Sequence, residues 1–195
     1  MGYVKSRIRE LIKESGSKAT ARRRAELWYN ETKRSVRENE VYQTRDRFEP
    51  GKIYVFRYNP ATENLPWFDQ NPVVLAIEQV DGNDLGVNLN LIPIMLKEQL
   101  LDDLYSRFGG QIKSATTGAR ETNANTQRPL RLTYDGMKSY LQRYGYDFAI
   151  RQYIPSRKSQ QTVVSYNKWP EIALCDFIQL NGATVNQIRR LFNRR

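Results

Sequence analysis

The stretch PVVLAIEQVDGNDLGVNLNLIP, residues 72–93, reads as two strands and the turn that joins them. Residues 72–80 are dominated by β-branched and aliphatic side chains, which suit a pleated surface. Asp81-Gly82-Asn83-Asp84 supplies hairpin chemistry, because these residue types tolerate the left-handed backbone of a tight turn. Residues 85–92 alternate, with Leu85, Val87, Leu89 and Leu91 against Gly86, Asn88, Asn90 and Ile92. Pro93 then fits the first turn of a helix.

Working upstream, KIYVFRY at 52–58 is a further β-branched and aromatic run, apolar on both faces. A loop at 59–71, carrying Leu65, Pro66, Trp67 and Phe68, separates it from the hairpin. Pro50-Gly51 is a strong turn signal that closes a polar linker over 38–51. Before the linker come two helices. Val4, Ile8, Leu11 and Ile12 share one helical face, off which lie Lys5, Arg9 and Lys13. Gly16 stops that helix and Ser17 caps the next, expected over 18–37. Ala21, Ala25, Trp28, Thr32 and Val36 form its less polar stripe, and neither helix is apolar enough to stand alone.

Downstream, Leu96, Leu100, Leu101, Leu104 and Phe108 give a helix over 94–108, with Gly109-Gly110 as its stop. Residues 111–128 are polar and read as a mobile loop or a segment ordered by a partner. Thr133 caps a helix that reaches about Tyr144, and Gly145 ends it. Strands at 148–154 and 161–166 flank a polar turn, followed by a core segment at 171–178 of undecided type. Thr184 caps a last helix, with Val185, Ile188, Leu191 and Phe192 on one face.

This order predicts an α+β fold: a small antiparallel, Src-homology-3-like β-barrel with a helical insertion, an N-terminal helical extension and a short C-terminal helix. The expected divisions are a basic N-terminal helical arm (1–47), a barrel body (48–180) with its insertion at about 93–145, and a basic C-terminal helix (181–195).

The chain has 195 residues and a net charge of +10. Residues 1–47 hold 13 Lys/Arg and 7 Asp/Glu, while residues 185–195 add four arginines and no acid. Residues 48–184 hold 14 of each sign. A neutral body with basic ends reads as a unit anchored to something acidic: a polyanion, an acidic protein surface, or merely water. The expected contacts are Arg22, Arg23, Arg24, Lys33, Arg34, Arg37, Arg189, Arg190, Arg194 and Arg195.

Several functions are excluded or disfavoured. The sequence has no histidine, which rules out a Ser-His-Asp triad, a Cys-His pair and a His-ligated zinc. One cysteine, Cys175, cannot make a disulfide framework or a cysteine zinc site. No apolar run approaches a membrane span, and MGYVKSRIRELIKESG lacks the apolar stretch of a signal peptide, so a secreted or membrane protein is not expected. Asp102-Asp103 reads as the solvent face of a helix and Asp81…Asp84 as turn chemistry, rather than as metal ligands. No catalytic residue, cofactor or metal is expected. Aromatics interleave with cations at Tyr54, Phe56, Arg57 and Tyr58, and at Tyr140, Arg143, Tyr144, Tyr146, Arg151 and Tyr153. Such rings can stack bases, and equally can simply pack.

Within residues 48–106, the pattern Pro50-Gly51-Lys52, Leu65-Pro66, Phe68-Asp69, Pro72, Gly86-Val87-Asn88-Leu89 and Pro93 resembles the virion-associated DNA end protector proteins of contractile-tailed bacteriophages. The flanking helices and arginine-rich ends fall outside it. The resemblance implies a phage particle component near the portal or tail, where packaged DNA ends lie, and supplies no catalytic residue.

Together these readings predict a non-enzymatic structural component of a tailed phage particle, in the portal, neck, tail or baseplate region. It would be made in the host cytoplasm and sit in the virion in several copies of a symmetric assembly. Its expected partners are other virion proteins and double-stranded DNA. The alternatives are a DNA-end-binding, protecting factor and another kind of nucleic-acid-binding module.

Overall fold

Asp81 and Gly82 carry positive φ angles of 50° and 76°. They form a two-residue turn that pairs Val80 with Asn83. Two consecutive left-handed residues match the twist of the flanking strands, which is why Asp-Gly joins them. The computed structural model describes residues 2–38, 47–60, 69–117, 132–159 and 161–175, with backbone alone over 37–38 and 107–117. The loop residues Leu65 to Phe68, most of the polar stretch 111–128 and the final helix with Arg189, Arg190, Arg194 and Arg195 lie outside the described residues.

The elements run α1 (Tyr3–Ser15), α2 (Lys18–Glu38), β1 (Ile53–Val55), β2 (Val73–Val80), β3 (Asn83–Asn88), α3 (Ile94–Thr117), α4 (Tyr134–Gln142), β4 (Ile150–Tyr153), β5 (Thr162–Val164) and α5 (Trp169–Leu174), with short 3-10 turns between some of them. The five strands form one antiparallel sheet in the order β4-β3-β2-β1-β5.

The α+β expectation holds, but the sheet is not closed. The strands at 148–154 and 161–166, expected to flank a turn, stand at opposite edges. Residues 154–159 lead away from the β4 edge through a 3-10 turn at Pro155–Arg157. They also continue the pairing past β1 as an isolated antiparallel bridge between Tyr58 and Lys158, in which Ser159 N donates to Arg57 O at 2.8 Å and Asn59 N to Arg157 O at 3.0 Å. The run at 52–58 is therefore a strand over three residues only.

Both faces of the sheet are covered, which explains its unbroken apolar strands. Ile53, Val55, Val73, Leu75, Ile77 and Val87 join the main core beneath the helices. The alternate residues Tyr54, Phe56, Val74 and Ala76 meet Phe48 and Tyr153 in a second, aromatic core. Gly86 stands opposite Ala76. A Cβ there would meet Val74 Cγ1 at 2.3 Å and Leu75 O at 2.8 Å, so only glycine fits.

Two expectations are corrected, and one open segment is decided in part. α3 does not stop at Gly109-Gly110 but continues to Thr117, because glycine weakens a helix by about 1 kcal/mol without forbidding one. The strand expected over 85–92 ends at Asn88, whose side chain accepts from Asn90 N and starts a 3-10 turn at Leu89–Leu91. The segment at 171–178, of undecided type, is helical as far as Leu174, in α5, whose Trp169, Ile172, Ala173 and Leu174 are buried in the main core; residues 176–178 lie outside the described residues.

The carboxylates also differ from expectation. Asp84 is a fully buried strand residue, not turn chemistry, with Lys158 Nζ 2.5 Å from its Oδ2. Asp102 is buried, not solvent-facing, and Asp103 accepts the Tyr140 hydroxyl at 3.0 Å, tying α3 to α4. Lys97 is buried as well, its ammonium donating to the Cys175 carbonyl at the end of α5. Burial pushes the adjacent Cys175 thiol up to about 12, far from the thiolate that reactivity needs. No described helix is long and apolar enough to cross a membrane.

Candidate nucleic-acid interface

The cationic residues of the first forty positions sit on a helical hairpin that is fixed to the body. Val4 and Ile8 are buried in the main core, contributing about 1.5–3 kcal/mol each as an upper bound. The Asp102 carboxylate, on α3, accepts from Val4 N at 2.9 Å and Lys5 N at 3.3 Å, satisfying two donors at the helix start. Gly2 lies so close to that carboxylate that a Cβ would meet its oxygens at 2.0 and 2.1 Å. The Tyr3 ring stacks on Tyr105 of α3 with centroids 4.1 Å apart. Gly16, at φ 75°, ends α1, and Ser17 Oγ accepts from Thr20 N at 3.1 Å to begin α2.

α2 buries Ala21, Ala25, Tyr29 and Val36. Its cations then sort by angle around the helix. Arg23, Arg24 and Arg34 are exposed and make no ion pair with a described residue. Arg23 and Arg34 are three turns apart, on one line and about 16 Å apart along the axis. Arg22 is half-buried, and its Nε is sunk without a described hydrogen-bond partner. Lys33 turns inward, with its ammonium 4.7 Å from the Tyr29 ring centroid. For Arg37 the structure describes only helical backbone. Of the ten expected contact residues, the structure thus presents Arg23, Arg24 and Arg34 outward, commits Lys33 elsewhere, and leaves the four C-terminal arginines undescribed.

Most of the expected aromatic platform is consumed by packing, although Tyr144 stays exposed. Tyr54, Phe56 and Tyr153 are buried, with Phe56 and Tyr153 meeting edge to face at 5.3 Å. The Tyr140 and Tyr144 rings meet at 5.7 Å, and Tyr144 Oη accepts from Gln99 Nε2 at 3.0 Å.

One polar network escaped the sequence reading. Asp69 accepts from Asn71 N at 3.1 Å, Asn88 Nδ2 at 3.2 Å and Asn90 Nδ2 at 2.5 Å. Asn90 Nδ2 also reaches Asn71 O, which accepts the Tyr29 hydroxyl of α2 at 2.7 Å. Burial pushes the Asp69 carboxyl above its ordinary range, and the amide donors and the Lys33 charge work against that rise. Asp69 and Asn88 both belong to the pattern quoted above, so those two positions bind the loop before β2 to the end of β3. The pattern itself was the available signal.

Fold and surface define a small α+β protein whose two N-terminal helices carry exposed cations. Over residues 2–184 the chain matches, and belongs to, the bacteriophage family described as Phage T4 terminal DNA protecting protein. No curated protein and no solved structure matches it. The family match takes in both N-terminal helices, which the pattern at 48–106 had left outside, and ends before the arginines of 189–195.

Proposed function

We propose that this protein binds the termini of linear duplex phage DNA and shields them by occupancy, without catalysis. The observation that carries the reading is the family match over 2–184, which includes the helices whose exposed cations can meet phosphates. Arg23 and Arg34 offer such contacts from α2, and the arginines of 189–195 add charge at the other end. A protein that stays on a DNA terminus travels with the packaged genome, beside the virion proteins that surround it.

The test is digestion of a linear duplex by a processive exonuclease, with and without the protein, next to endonuclease cleavage at an internal site. Protection of the ends with the internal site left open supports the reading. Equal protection of both, or of neither, counts against it.

A further inference from the structure

Lys5, Arg9 and Lys13 follow one another at i, i+4 and i+8 along α1. They form a row offset from the buried Val4 and Ile8, with about 6 Å of rise between successive members. Arg9 and Lys13 are exposed and Lys5 is half-buried. None of the three makes an ion pair with a described carboxylate. The two acids of α1, Glu10 and Glu14, lie on the other flank, where Glu10 is paired with Arg7. One side of the helix thus carries both of its acids and the other is purely cationic.

The row is also held in place. The Asp102 contacts to Val4 N and Lys5 N, the Tyr3–Tyr105 stack and the buried Val4 and Ile8 fix α1 against α3. A fixed helix loses little backbone freedom on binding, so its charges are pre-organised. On α2, by contrast, Glu26 and Glu31 interrupt the cations, Arg22 is partly sunk and Lys33 leans on Tyr29.

We infer that the Lys5–Arg9–Lys13 row of α1 is a principal contact for the phosphate backbone of duplex DNA. This rests on the DNA-terminus reading above and names the surface that serves it. Three cations spread over about 12 Å face a duplex bearing one negative charge per about 1.7 Å, so each finds its own phosphate. Such contacts carry no base information, and the row binds DNA without regard to sequence.

The experiment compares the full chain with a K5Q/R9Q/K13Q variant on a blunt linear duplex across a salt series. The expected result is a fall of about 2.7 in the slope of log K against log salt, from three lost phosphate contacts. An R7Q/E10Q control on the acid-bearing flank, which removes one charge of each sign, keeps the parent slope. Matching far-ultraviolet circular dichroism and melting midpoints establish that each variant folds. If the triple variant misfolds, the single R9Q variant, expected to lose about 0.9, decides instead. A folded variant with the parent slope overturns the row. So does a polyglutamate chain that competes as well as the duplex, since the surface would then fit an acidic polypeptide. A circular duplex bound as tightly as a linear one sinks the terminus reading while leaving the row standing.

Discussion

Lys158 Nζ lies 2.5 Å from Asp84 Oδ2, with neither side chain exposed, and 4.1 Å from the centroid of the Phe48 ring. Asp84 also accepts from Phe48 N at 3.2 Å. One carboxylate on β3 thereby holds both the segment at 154–159 and the chain entering β1. Removing either partner leaves the other charge buried, offset in part by Arg47 at 3.9 Å from Asp84 or by Gln161 at 3.2 Å from Lys158, and costs up to about 3–5 kcal/mol. Lys158→Met and Asp84→Asn are each expected to lower the urea midpoint steeply. The double variant is expected to be less destabilised than the sum of the two, as a double-mutant cycle reads directly.

Gly86→Ala is expected to destabilise the sheet by about 1–3 kcal/mol, the usual range for overpacking. The added Cβ collides with backbone as well as with Val74, so rotamer adjustment cannot relieve it. Equilibrium denaturation of the variant measures the loss; an unchanged midpoint would mean that β2 and β3 separate more easily than their register implies.

Asp69 gives a pH dependence with a definite sign. Its folded pKa is raised, chiefly by burial, above the ordinary 3.8. The folded state therefore keeps a proton that the unfolded chain has lost, and this group's contribution is full below pH 3.8 and is lost as pH rises through the folded value. Asp69→Asn removes that component. Urea midpoints measured from pH 3.5 upward should fall less with rising pH in the variant than in the parent; parallel profiles would show that Asp69 titrates alike in both states.

Charge removal on α2 has a graded expectation. Arg23→Gln and Arg34→Gln should each lower the salt slope of duplex binding by about 0.9, alike for all sequences. Lys33→Gln should change stability more than the slope, because its ammonium is engaged with Tyr29. A Lys33→Gln slope change equal to that of Arg34→Gln would place Lys33 on the binding surface after all.

Local chemistry was legible and long-range pairing was not. The Asp81-Gly82 turn, the Gly16 and Gly145 stops and the Thr133 cap were all readable, because each depends on residues within a few positions. Asp102 could not be read, since the backbone it serves lies 98 residues away. Asp84 was taken for turn chemistry because its lysine lies 74 positions downstream. Gly109-Gly110 misled in the other direction, as a local stop signal that the helix overrides. On the candidate surface, Arg23 and Arg34 were found from charge alone. Tyr29 and Lys33, spaced i, i+4, carried a readable sign that this lysine folds back on its own helix.

β1 lies between β2 and β5, and β5 pairs Val164 with Ile53, more than a hundred positions earlier. A growing chain therefore holds β1 half-paired until its last third has left the ribosome. The helical layer waits too, because α5, on which α1 and α2 pack, follows β5. Contacts that span so much chain form slowly, and an unpaired apolar edge invites association with other nascent chains in the meantime. Synthesis, not the finished surface, is where this architecture is most exposed to failure.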